Sequence, residues 1–131
     1  MVPLPRFTTV GGIAITHLLD KDTIDAICKR TASGGGEIVK LLDRASAIYA
    51  PGSEADIMAE AVLLDRKRLI PASAYLTGQY GLDDVYIGVP VILGASGIEQ
   101  IFQLELSDEE LSSLQKSGNF YKTQLSELLG Y

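Results

Sequence analysis

Tryptophan is absent from this chain of 131 residues, which also has one cysteine, one histidine and three phenylalanines. A single cysteine, Cys28, excludes an internal disulfide framework and any zinc site built on cysteine pairs. It lies in a helical pattern beside Ile27 and reads as a small core residue of a reducing compartment. The single histidine, His17, has no second His or Asp at ligand spacing, so it reads as a surface or capping residue and no metal is expected. Positive charge is also scarce. Eleven Lys and Arg against seventeen Asp and Glu give a net charge of −6, with a pI near 4.6, which argues against a nucleic-acid partner. The densest basic cluster, Arg66-Lys67-Arg68, reads as a helix C-terminus whose cations complement the macrodipole. No apolar run is long enough to cross a bilayer. No secretory, transit or lipidation signal is legible either, so the expected location is the cytoplasm with no membrane partner.

What is abundant is apolar surface. Hydrophobic residues make up 47% of the chain, with a mean hydropathy of +0.19. For a single domain of this length, that excess points to a surface meant for a partner.

Residues 2 to 15 have β character, broken by Pro3, Pro5 and a Gly11-Gly12 turn. Asp20 is an N-cap candidate for a long helix carrying Ile24, Ile27, Cys28, Ile38, Leu41 and Leu42 on nearly one face. Gly34-Gly35-Gly36 interrupts that helix. Each glycine costs about 1 kcal/mol against alanine, so close backbone approach or a kink is expected there. Ser53 is expected to cap a second helix, with Glu54 and Asp56 in its first turn and a stripe of Ile57, Met58, Ala61, Val62 and Leu64. Strands follow at about 69–76 and 85–93. A third is expected to place Ile98, Phe102, Leu104 and Leu106 on one face and Glu99, Gln103 and Glu105 on the other. Ser107-Asp108-Glu109-Glu110 is a capping box for a final helix. The order predicts an α+β domain over residues 1–131: an antiparallel sheet with a long kinked helix and a C-terminal helix.

The chemistry-bearing residues do not assemble into a catalyst. Ser33-Gly34-Gly35-Gly36 is no phosphate-binding loop, because no strand precedes it and Glu37 follows within a helical pattern. Glu54, Asp56 and Glu60 read as solvated or dipole-complementing carboxylates, and Asp83-Asp84 as a turn. The tyrosines are not interleaved with basic residues as a nucleic-acid platform requires.

Several segments do resemble one family. Met1-Val2-Pro3-Leu4 is similar to the stretch that follows the catalytic His-Gly-Asp loop in lactate/malate dehydrogenases. Gly34-Gly35-Gly36-Glu37-Ile38-Val39 resembles their Gly-Gly-Glu-Ile-Val helix, and Ala45-Ser46-Ala47-Ile48-Tyr49-Ala50-Pro51 their Gly-Ser-Ala-Tyr-Tyr-Ala-Pro segment. Residues 69–81 and 85–94 continue the match in the same order. The pattern is closest to the lactate-dehydrogenase-like, NAD-dependent malate dehydrogenases.

The resemblance implies the C-terminal, substrate-binding and assembly half of such an enzyme, without the N-terminal Rossmann half. The family's acid–base histidine, its orienting aspartate and its substrate-binding arginines then lie upstream of Met1, so the chain by itself is expected to be inactive. No catalytic residue is carried over. Ser46 and Ala47 are implied beside the substrate, malate or oxaloacetate, and Pro51 near the nicotinamide of NAD. Ser46 is equally open to reading as an ordinary loop serine. Ala45 and Ile48 depart from the family's usual glycine and aromatic residue. Malate versus lactate specificity stays open, as does a non-catalytic module that self-associates or docks onto a Rossmann half through its apolar face.

Overall fold

The computed structural model describes residues 1–43 and 46–130. Contacts divide the chain into two compact units, Met1–Pro51 and Gly52–Tyr131.

In the first unit, a 3-10 turn at Pro5–Phe7 leads into a hairpin of β1 (Thr9–Val10) and β2 (Ile13–Ala14). Gly11 and Gly12 have φ of 58° and 86°, the paired positive angles that a two-residue hairpin turn demands and glycine supplies without steric cost. The β character expected over residues 2–15 thus condenses into a ladder of two residues per strand. Pro3 and Pro5 contribute no ladder donors, which keeps the residues before the hairpin out of the sheet. A second 3-10 turn, Ile15–His17, precedes helix α1 (Lys21–Leu42).

Asp20 caps α1 as expected. Its carboxylate accepts from the Thr23 backbone N–H and from the Thr23 hydroxyl, both at 2.9 Å. Helix α1 runs 22 residues across Gly34–Gly36 without a break. A Cβ added at any of these three glycines would meet nothing within 4 Å. The close backbone approach expected there is therefore not made by any described residue. Arg30 reaches two turns along the helix to pair with Glu37 at 2.8 Å.

Helix α2 (Tyr49–Leu63) spans the boundary between the units. It begins ahead of the expected Ser53 cap. Pro51 falls in its first turn, where a missing N–H leaves no intrahelical bond unmade, and Glu54 and Asp56 consequently lie beyond that turn. The helix stops at Leu63, before the basic cluster. Arg66 N–H donates to the Ala61 carbonyl at 2.9 Å and Asp65 N–H to Val62 at 3.4 Å, with Asp65 at φ 47°. This is a Schellman ending with aspartate in the left-handed position that glycine usually takes.

Strands β3 (Arg68–Thr77), β4 (Asp83–Gly94) and β5 (Gly97–Ile101) form an antiparallel sheet in the order β3-β4-β5. The pairs Ala72↔Val89, Ala74↔Ile87 and Leu76↔Val85 place alternate residues on one face. That face is the core, with Leu76 and Val91 fully buried. Small alanines on β3 leave room above the sheet for Leu111 and Leu114 of helix α3 (Asp108–Leu129), which pack against the same cluster. Pro71 stands directly opposite Pro90. Opposed residues of an antiparallel pair exchange either two hydrogen bonds or none, so both prolines occupy a non-bonded pair and cost the β3–β4 ladder nothing. Past β5, the Phe102 N–H donates to the Pro90 carbonyl at 2.8 Å.

The third strand differs from the expected alternation. Ile92 pairs with Gln100 but Leu93 with Ile98, so Glu99 is a bulge residue and the parity changes there. Ile101, not Phe102, therefore joins the core side. Beyond it the chain is held by Tyr80, whose hydroxyl donates to the Phe102 carbonyl and accepts from the Leu104 N–H, both at 2.8 Å.

The capping box forms as expected: Glu110 N–H donates to Ser107 Oγ at 3.3 Å, and Ser107 N–H to Glu110 Oε2 at 2.8 Å. Gly118, buried on α3, permits a close approach, since a Cβ there would lie 2.8 Å from the Leu82 methyls. The far end of the helix is different. Leu125, Leu128 and Leu129 are exposed, at 52%, 82% and 53%, and cover no core within the unit. Among the described residues no helix is long and apolar enough to cross a membrane.

Candidate substrate and cofactor wall

Ser46, Ala47 and Pro51 fall on one short segment, the connection from α1 into α2. Ala45, which precedes them, lies outside the described residues. Ser46 is exposed and Ala47 half-buried. The Ser46 carbonyl accepts the Ile48 N–H at 2.9 Å, a three-residue turn that delivers the chain into α2 at Tyr49. Pro51 is exposed in the first turn of that helix. Ile48 and Tyr49 between them are 60% and 83% exposed.

The chemistry of this segment is limited and specific. It offers one hydroxyl that both donates and accepts, a methyl group, and the flat apolar ring of a proline with no N–H. None of the three side chains transfers a proton near neutral pH, so the segment can form a wall but not an acid–base pair. His17, exposed at the end of the second 3-10 turn, does not belong to it. Among the described residues no group of three His, Cys, Asp or Glu side chains is arranged to hold a metal ion.

Two polar constellations elsewhere escaped sequence reasoning. Asp83 opens β4 and is not a turn residue, and Asp84, at φ 51°, is the irregular residue skipped between the Thr77↔Asp83 and Leu76↔Val85 pairs. Its carboxylate accepts the Tyr75 hydroxyl at 2.9 Å and pushes that phenol's pKa above its ordinary value. Tyr75 also packs against Tyr86, its cross-strand partner, with ring centroids 5.2 Å apart. The two rings and Gln79 border a shallow groove of about 530 Å³. The signal was present in the sequence as aromatic residues opposed across a hairpin, but it becomes visible only with the register.

The second constellation corrects the reading of the basic cluster. Arg66, Lys67 and Arg68 follow α2 and do not end it; they form ion pairs. Arg66 meets Glu60 at 3.3 Å, Arg68 meets Glu60 at 3.4 Å and Lys67 meets Glu99 at 2.7 Å. Asp65 accepts the Ala95 N–H at 2.9 Å and lies 3.4 Å from Lys67. That backbone bond, more than the lysine, holds its carboxyl below the usual range.

Comparison with known proteins gives a consistent result. Residues 7–129 match the family described as lactate/malate dehydrogenase, alpha/beta C-terminal domain. Malate dehydrogenase of Thermomicrobium roseum is 57% identical over 119 residues, covering 91% of this chain and 38% of that enzyme. The solved malate dehydrogenase of Salinibacter ruber superposes with a TM-score of 0.94 at 48% identity, covering 98% of this chain and 42% of that one. Lactate dehydrogenase of Eimeria maxima, solved with NADH and oxamate, superposes with a TM-score of 0.90 at 42% identity, covering 98% and 41%. The chain spans about 40% of the length of the curated relatives it matches.

Proposed function

The chain belongs to the lactate/malate dehydrogenase family, as its C-terminal domain, and on that premise we propose that it serves as the substrate-binding and assembly half of an NAD-dependent malate dehydrogenase. The observation that carries the reading is similarity to malate dehydrogenases along 98% of the chain, in sequence and in fold alike. The whole enzyme then interconverts malate and oxaloacetate, with NAD as the hydride acceptor and donor.

Within that reaction this chain supplies surface and no proton transfer. The Ser46 hydroxyl donates a hydrogen bond to the substrate, Ala47 limits the space beside it, and the Pro51 ring lies against the nicotinamide. The residues present fit one face of such a ring: they are small and uncharged, with Ser46 and Pro51 exposed and Ala47 half-buried. They do not build a pyrophosphate cradle, since the glycine run is the interior of α1. Residues 1–131 work as a single domain in this reading, and the acid–base and carboxylate-binding groups come from the remainder of the enzyme.

Two assays test the proposal. The 131-residue chain alone is expected to oxidise no NADH with oxaloacetate; measurable turnover overturns the assignment of roles. Fused in frame to the N-terminal portion of the Salinibacter enzyme, it is expected to restore reduction of oxaloacetate with NADH. In that chimera, Ser46→Ala is expected to lower kcat/KM about fivefold, roughly the worth of one neutral hydrogen bond. An inactive but folded and assembled chimera counts against the proposed role.

A second reading is favoured by the apolar surface. Leu41, Tyr49 and Leu128 are each about four-fifths exposed, at 79%, 83% and 82%. We propose that faces of this kind meet another copy or a Rossmann half.

A further inference from the structure

We draw no further inference here: the strongest candidate, the apolar groove along α1 between Ile27 and Leu41 over Gly34, is an unpartnered helix face whose charged residues Arg30 and Glu37 already pair with each other, and nothing in the structure shows what covers it.

Discussion

Asp20 starts α1 and Asp65 follows the end of α2, and each carboxylate accepts one backbone N–H, Thr23 for Asp20 and Ala95 of the β4–β5 turn for Asp65. In both, that bond is the largest cause of a pKa held below the ordinary carboxylate value. The sign of the pH effect follows. A folded-state pKa below the unfolded one means that the unfolded chain binds protons first, so the stabilisation is complete above the unfolded value, near 3.8. It disappears as pH falls through the lower folded value. Thermal melts of the native chain and of the Asp20→Asn/Asp65→Asn double variant should therefore differ at neutral pH and converge as the pH falls below the ordinary carboxylate range. A difference that persists at low pH would assign the effect to packing. Asp65 also holds a left-handed backbone angle that only glycine, and less readily asparagine or aspartate, adopts without strain. Asp20 was legible in the sequence as a helix cap. The role of Asp65 was not, because thirty residues separate it from Ala95 and only the β4–β5 turn brings the two together.

Individual elements were legible where one local rule decides them. The strands at about 69–76 and 85–93 and the Ser107–Glu110 box needed only sequence-local pattern, and both appear where expected. Ser53 failed as a cap because a proline two residues before it was itself able to enter a helix. The alternation through Ile98 and Phe102 failed because the Glu99 bulge shifts parity, and bulges leave no reliable mark in a single sequence. For α3, Ser107→Ala should cost about 1 kcal/mol by removing its cap. Gly118→Ala should cost about 1–3 kcal/mol by forcing a methyl into Leu82. Chemical denaturation measures both, and a neutral Gly118→Ala would mean that α3 can lift away from the sheet. In α1 the opposite sign is expected. Gly35→Ala meets empty space, so it should stabilise the isolated chain by about 1 kcal/mol through helix propensity alone. A loss of stability there would mean that a second copy of the chain occupies that space.

For the whole molecule, the fold class and the family were within reach of the sequence, since both rest on long ordered segments. The candidate wall was only partly so. Ser46, Ala47 and Pro51 are close in sequence and stay on one connection, but the roles proposed for them rest on the family resemblance and not on a local rule. The exposed apolar side chains bear on assembly. Sedimentation velocity across a wide concentration range is expected to show association of the 131-residue chain that weakens on dilution. A monomer throughout would remove self-association and leave a heterologous partner as the reading of the apolar excess.

The facing prolines of β3 and β4 have one more consequence. Because they form a non-bonded pair, the nitrogen of Pro90 points toward β5 and that of Pro71 toward the free side of β3. Along that side a ten-residue edge strand would otherwise offer an unbroken row of donors to any extended peptide. A residue without a hydrogen to give interrupts the row, and so guards this margin against the strand-by-strand growth that builds fibrils.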